Sequence, residues 1–477
     1  MTVTGWLAMG ELVWVVGLAV WIVLERRSPV ATLAWVLGLA WLPVLGVPLY
    51  LLVGPRRLHR KKLRRRRSRS RVIEALQGWR EPADSRSFAT LPAGNGPQLV
   101  KLAESTRQPA PARADRVDLL LGGDACYEAI EQAISLARHH IHLEYYSWEP
   151  DRVGRRFRDL LCDKARGGLE VRLLVDAIGS ARFGRRFARP LRDAGVQFAR
   201  FNPISLARLR PDLVNFRSHR KIIVCDGRVG FTGGINVSDD HAESVKGTQA
   251  WRDTHLRIEG PPVCDLQLAF FEDWHFATGS APSGRGYFPD QRPGAAGPWV
   301  QILASGPDEE SHAIEKFCFA AIAGAQRRVL VTTPYFVPTE PLLLAFSTAA
   351  LRGVEVQVLV PQQSDSWLVT AAARSYFEEL VRVGVRVHEY ASSMLHAKTL
   401  VVDDLALVGT ANMDNRGFRL NFEIAAVLYD PRFAAALAEV FQADLRRAVE
   451  YRLRTARRAS AWRRLTEATA RLLSPLL

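Results

Sequence analysis

HRKIIVCDGRVGFTGGIN (219–236) and HAKTLVVDDLALVGTAN (396–412) are the stretches whose reading decides the fold. Each opens on His, one residue, then Lys, and runs through an apolar stretch to an acid. After a turn, a second apolar stretch ends in Gly-Gly or Gly-Thr and an Asn. The period of two along a strand puts His219 with Lys221, and His396 with Lys398, on one face. Asp226 and Asp403 then fall at the turn of a hairpin. Its return strand brings Gly233, Gly234 and Asn236, or Gly409, Thr410 and Asn412, back alongside. Six residues separate Asp226 from Gly233 and five separate Asp403 from Gly409, so the second hairpin is expected to be tighter, with both strands intact.

Outward from these hairpins the chain resembles itself. VDLLLGG (117–123), an amphipathic stretch at 129–137, HIHLEYY (140–146) and ARGGLEVRLLV (165–175) precede the first hairpin. VQILASG (300–306), a stretch at 313–323, RVLVTTPYF (328–336) and ALRGVEVQVLV (350–360) precede the second. Apolar runs such as 171–175 and 356–360, each after a helical pattern and a Gly, read as buried parallel-type strands of an α/β unit. A period of about 180 residues is too long for a solenoid and implies a duplicated domain, each copy a mixed sheet flanked by helices. The expected divisions are 116–285 and 286–430. They follow a Pro/Ala/Ser/Gly-rich linker at 81–115 with one short helix, and precede a tail at 431–477. That tail alternates Arg clusters with Ala, Leu and Trp462 at helical spacing. It suits either a basic amphipathic helix lying on a membrane or a helix packed on the core.

The first 54 residues have another character. Residues 6–24 are interrupted only by Glu11 and would span about 28 Å as a helix. Residues 30–53 carry no charge, with Trp35 and Trp41 along them and Tyr50 near the far end. Two N-terminal transmembrane helices are expected, although Pro43, Gly46 and Pro48 also suit a re-entrant hairpin in the second. A cleaved signal peptide fits poorly, since no basic region precedes the first stretch.

The net charge is +15, and Arg56 to Arg71 alone hold eleven Arg and Lys with no acid, so the basicity is local to the segment 55–80. Beside a hydrophobic stretch such a block favours anionic lipid, at about 1 kcal/mol per residue near a charged bilayer. The positive-inside rule then puts the remainder of the chain on the cytoplasmic side, as a multi-pass membrane protein. Five widely spaced cysteines without a Cys-x-x-Cys pair read as free thiols and argue against a disulfide framework or a zinc site. No metal or cofactor is expected.

The two hairpins resemble the H-x-K-x4-D signature of the phospholipase D superfamily, twice, and the resemblance implies duplicated phospholipase D-like domains with one composite active site. Phosphodiester transfer needs a nucleophile, a proton donor for the leaving alkoxide, and cations around the phosphoryl oxygens. The resemblance implies His219 as nucleophile, forming a covalent phosphatidyl-histidine, and His396 as acid and then base, while the spacing itself allows the reverse. Lys221, Lys398, Asn236 and Asn412, with Thr410 beside them, would stabilise the charged oxygens. Asp253 in WRDTH and Glu423 in NFE follow the motif histidines and would orient them, unless they are ordinary surface acids. Asp226 and Asp403 belong to the signature and are expected to serve structure rather than proton transfer.

The pieces RRSPVATLAWVLGLAWLPVLGVPLYLLVGP (26–55), VRLLVDAIGS (171–180), NFRSHRKIIVCDG (215–227), WRDTHLRIEGP (251–261), TTPYFVP (332–338) and MLHAK (394–398) stand in an order similar to that of the bacterial cardiolipin synthases. That resemblance implies transfer of a phosphatidyl group from one phosphatidylglycerol to another, giving cardiolipin and glycerol, with anionic phospholipid and the membrane as partners. No nucleic-acid partner is expected, and the oligomeric state is not legible. A phospholipase D-type hydrolase or nuclease would use the same site with another acceptor. A silent scaffold that binds anionic lipid is the remaining alternative.

Overall fold

The strand after Lys221, IIVC, is apolar at every position, the strand after Lys398, TLVV, at all but Thr399, and every one of those positions is buried. A strand covered on both faces has no polar face to show, and the rest of each repeat supplies the cover. The computed structural model describes residues 94–203, 216–281, 285–289, 297–309, 311–454 and 460–474, with isolated positions up to 91. It divides into two units, residues 1–64 with 205–215, and residues 65–204 with 216–477. In the first unit the described residues are short helical pieces such as 20–24 and 36–38. No helix among the described residues is long and apolar enough to cross a membrane. The stretches expected to cross, 6–24 and 30–53, lie mostly outside the described residues, as do most of 55–80 and the first half of the 81–115 linker.

The second unit opens on α1 (Gly96–Ser105) and the short β1 (Ala112–Arg113). The first repeat follows as β2 (Arg116–Leu121), α2 (Gly123–Leu136), β3 (His140–Tyr145), α3 (Arg152–Arg166), β4 (Glu170–Asp176), α4 (Arg185–Asp193) and β5 (Gln197–Phe201). It ends with β6 (Ile222–Cys225), β7 (Val229–Gly233), β8 (Thr254–Glu259) and α5 (Val263–Thr278). The sheet order is β2-β8-β7-β6-β3-β4-β5, with β3, β4 and β5 parallel and the other pairs antiparallel. Helices α2, α3 and α4 bury Ile130, Phe157 and Leu191 against one face, in a core with Leu143, Leu173 and Ile223. On the other, α5 brings Leu266 against the sheet at Gly230, where a Cβ would come within 2.7 Å of its methyl.

The second repeat runs β9 (Trp299–Ser305), α6 (Ala313–Ala323), β10 (Arg328–Thr332), β11 (Phe336–Val337), α7 (Glu340–Leu351), β12 (Glu355–Pro361), α8 (Trp367–Arg382) and β13 (Arg386–Tyr390). It continues with β14 (Thr399–Val402), β15 (Leu405–Gly409), β16 (Met413–Asp414), β17 (Glu423–Tyr429), α9 (Pro431–Leu445) and β18 (Ala448–Glu450). Its sheet, β1-β9-β17-β15-β14-β10-β12-β13-β18, contains the seven-strand order of the first with one strand added at each edge. Both edge strands come from segments the sequence reading set apart: β1 from the linker and β18 from the tail. The tail is therefore not a single surface piece. Pro431 opens α9, Asp430 caps it by accepting from the Arg432 N–H (2.8 Å), and Ala434, Leu437, Ala438 and Phe441 are buried. Beyond the sheet, α10 (Ala461–Leu472) lies along α8.

The two hairpins differ as their lengths require. β6 and β7 are joined through 226–228, whereas β14 and β15 are joined through 403–404 alone. Asp226 and Asp403 both take positive φ, +55° and +52°, a conformation Asp tolerates better than most side chains. Each carboxylate accepts from three successive backbone N–H groups. Asp226 takes those of Arg138, His139 and His140 (2.8, 2.8 and 2.9 Å), and Asp403 those of Gln326, Arg327 and Arg328 (2.9, 2.8 and 3.1 Å). Each hairpin is thereby tied to the strand beside it, and Asp404 adds an ion pair with Arg327.

Candidate active site

The strand heads that carry the histidines pair across the two repeats. Ser218 bridges Phe422 and Arg252 bridges Leu395, both in parallel. The His219 N–H donates to the Phe422 carbonyl (2.9 Å) and the His396 N–H to the Arg252 carbonyl (2.8 Å). Each pairing places a motif histidine next to the carboxylate of the opposite repeat. His219 Nδ1–H donates to Glu423 Oε2 at 3.0 Å, and His396 Nδ1–H to Asp253 Oδ2 at 2.7 Å. The carboxylate beside each histidine thus comes from the other half: His219 takes Glu423, not Asp253, and His396 takes Asp253. With the proton held on Nδ1, the lone pair of each ring stands on Nε2.

Both carboxylates are fixed in turn. Glu423 accepts from the Thr410 hydroxyl and, at 3.3 Å, from the Asn421 amide, and Asp253 Oδ1 accepts from the Thr254 N–H at 2.7 Å. Gly234 makes the room Asp253 needs, since a Cβ there would lie 2.1 Å from Oδ1. Lys221 and Lys398 stand directly beside the imidazoles, each ammonium donating to the carbonyl of its own histidine. Lys398 Nζ is also 2.9 Å from His396 Nδ1, but that nitrogen already donates to Asp253, so the lysine proton goes to the carbonyl.

Burial sets the charge state. It pulls His219 down to about 4, with Lys221 and Lys398 pulling the same way and Glu423 opposing. Burial, Lys398 and Lys221 hold His396 well below the usual imidazole range. Burial and repulsion by Lys398 bring Lys221 down to about 7, and burial brings Lys398 to about 8 against the opposing pull of Asp253 and Glu423. Burial alone would raise Glu423, yet His219, Lys221 and Thr410 outweigh it and keep it ionised.

The histidines open into a cavity of about 660 Å³ whose wall includes Tyr146, Asn236, Trp251, Asp365, Asn412 and Asp414. Asn236 Oδ1 accepts from the Ser147 N–H (3.3 Å), which turns its amide NH2 away from that strand. Asn412 Oδ1 is buried without a partner among the described residues.

Known proteins repeat this arrangement of sequence. Residues 130–269 and 318–445 match the family described as cardiolipin synthase, PLD-like domain, and residues 12–55 match the phospholipase D-nuclease N-terminal family. Cardiolipin synthase 1 of Bacillus cereus is 38% identical across 97% of this chain and 92% of that protein, and cardiolipin synthase 1 of Bacillus anthracis is 39% identical with the same coverage. The chain belongs to the cardiolipin synthase family of phospholipase D-like proteins. In fold alone it is similar to phosphatidylserine synthase of Haemophilus influenzae Rd KW20 (TM-score 0.60, 18% identity), over 79% of this chain and 100% of that one.

Within this cardiolipin synthase site, His219, His396, Asn236 and Asn412 line the cavity. Lys221, Lys398, Asp253 and Glu423 are buried just behind its wall. Thr410 is fully buried against Glu423, so it steadies that carboxylate and does not reach a phosphate. Asp226 and Asp403 lie at the far turns of their hairpins and take no part in the cavity.

Sequence reasoning passed over His241, which accepts from the Asn236 N–H (3.4 Å) and points its other ring nitrogen at Asp253 (3.6 Å). Its only signal was position, five residues after Asn236. It also passed over Asp414, set on the wall by pairing of β16 with β11 and lifted by burial to about 6, and Tyr335, whose hydroxyl donates to Asp365 (2.7 Å). Among the described residues, His241, Asp253 and His396 form one group that could hold a metal ion. The Lys398 ammonium beside His396 Nδ1 opposes a dication there.

A phosphodiester anion held in the cavity in front of the lysines would favour their protonated forms and let one imidazole hold a proton as well. The sign follows from the lowered lysine values. As pH rises through about 7 and about 8 the empty site loses first the Lys221 and then the Lys398 charge, so phosphodiester binding weakens. The depressed His219 remains neutral, and nucleophilic, down toward about 4. Apparent KM for phosphatidylglycerol should rise on the alkaline side with little change in kcat, measured at fixed ionic strength; a KM independent of pH there would contradict the assignment of the lysines.

Proposed function

We infer that the chain is a phosphatidyltransferase that makes cardiolipin, moving the phosphatidyl group of one phosphatidylglycerol onto a hydroxyl of a second and releasing glycerol. The observation that carries this reading is the pair of imidazoles, each with Nδ1 fixed on a carboxylate of the opposite repeat, above two buried lysines. In the first step the Nε2 lone pair of His219 attacks phosphorus. The bond from phosphorus to the departing glycerol oxygen breaks, and that oxygen takes the proton held on His396 Nε2. In the second step the acceptor hydroxyl gives its proton to His396, its oxygen attacks phosphorus, the P–N bond breaks, and His219 returns neutral. One phosphodiester replaces another, so no nucleotide is consumed. Lys221, Lys398, Asn236 and Asn412 offset the charge on the phosphoryl oxygens, a contribution of about 2.7–4 kcal/mol per donor in comparable sites. The assignment of first attack to His219 follows the order of the motifs in the superfamily.

A polyol acceptor suits the wall. Asp365 and Asp414 offer carboxylate oxygens to hydroxyl donors, and Asn412 Oδ1 has an acceptor position to spare. The two N-terminal hydrophobic stretches, which coincide with the match at 12–55, would cross the inner membrane and hold this cavity on its cytoplasmic side. Purified protein incubated with phosphatidylglycerol vesicles should yield cardiolipin and free glycerol in equal amounts. Phosphatidic acid without cardiolipin would replace this reading with that of a hydrolase.

A further inference from the structure

Helix α10 is amphipathic in the reverse of the usual sense. The side that meets the protein is polar or small. Arg471 sits 4.3 Å over the Tyr376 ring and pairs with Glu379 (3.1 Å), Ala470 is buried, Ser474 bonds the Tyr376 hydroxyl (3.0 Å), and Arg463 pairs with Glu467 (2.7 Å). The opposite side carries Trp462, Leu465 and Leu472, which are 76%, 57% and 79% exposed. Spacings of three and seven residues put these three on one stripe. A surface helix ordinarily turns such a stripe to the core, and this one is turned outward although α8 lies on its other side.

Residues 451–477 hold seven Arg and one acid, Glu467, so the segment carries a net positive charge even though Arg463 and Arg471 are paired with acids. Two copies of so basic a segment repel one another, whereas an anionic bilayer attracts it. Trp at one end of an apolar stripe flanked by Arg suits the boundary between headgroups and acyl chains. The first turn of α8 bears Trp367, 73% exposed, two residues before Val369 in the cavity wall. We propose that α10 lies flat on an anionic phospholipid surface, with Trp462, Leu465 and Leu472 inserted, and so presents the catalytic cavity to its lipid. This rests on the lipid reading of the substrate, but its test does not require turnover.

The full chain, with half-buried Cys264 replaced by Ser and a nitroxide at Leu465→Cys or Leu472→Cys, would be reconstituted in vesicles of phosphatidylglycerol and phosphatidylcholine. The remaining four thiols are buried. Electron paramagnetic resonance should find both labels open to oxygen and shielded from a water-soluble nickel complex. In vesicles of phosphatidylcholine alone the shielding should fall several-fold. Labels open to the nickel complex in anionic vesicles would overturn the proposal. So would labels closed to both quenchers, which would mean a protein partner or a second copy, and shielding equal in the two vesicles, which would remove the anionic preference. None of these outcomes depends on cardiolipin being formed, so the synthase reading stands or falls separately.

Discussion

Replacing either motif histidine with Ala is expected to remove all but about one part in 10⁴ of cardiolipin synthesis, and each replacement alone should do so. The reason is that the repeats do not contain two sites. His219 and His396 line one cavity, and in the proposed mechanism they play complementary parts in one exchange, so neither repeat would turn over unaided. Loss of the nucleophile removes the covalent path, and loss of its partner leaves an alkoxide to depart unprotonated. A factor of 10⁴ corresponds to about 5.5 kcal/mol of transition-state stabilisation. Initial rates on phosphatidylglycerol vesicles, with the fold checked by circular dichroism, provide the measurement. Half of the activity surviving in either variant would mean two independent half-sites.

The second large effect concerns the carboxylates and runs crosswise. Asp253→Asn and Glu423→Gln should each lower kcat by about 10² to 10⁴, because an amide can present its NH2 to Nδ1 and drive the ring proton to Nε2, where it blocks the lone pair. Asp253→Asn should disturb His396, 143 positions later in the chain, and leave His219 alone; Glu423→Gln should disturb His219, 204 positions earlier. In protein labelled with 15N-histidine, the downfield imidazole N–H signal of the opposite-repeat histidine should be the one that vanishes. A change in the histidine of the same repeat would refute the crossing.

That crossing was hidden from the sequence for a physical reason. Spacing along a strand reports which side chains share a face, so His219 with Lys221, and His396 with Lys398, could be read at once. The apolar runs at 171–175 and 356–360 likewise announced buried strands, and the missing residue after Asp403 announced a shorter turn. Pairing between Ser218 and Phe422, or Arg252 and Leu395, joins strand ends far apart in the chain, and no local pattern encodes it. Sequence order alone therefore matched each carboxylate with the nearer histidine. Thr410 occupies the place of Gly234 in the repeat. In the fold it turns to Glu423, where the first repeat needs a glycine to admit Asp253. Strands β1 and β18 fall within the linker and the tail because two or three residues carry no readable period, and it is the edge of the second sheet that gives them a partner.

Rapid quenching of the reaction with phosphatidylglycerol labelled at phosphorus, followed by peptide mapping of the trapped protein, tests the single composite site most directly. The label should be found on the peptide that carries His219 and not on the peptide that carries His396. Label divided equally between the two histidines would contradict one shared site, and label on His396 alone would reverse the roles of nucleophile and acid.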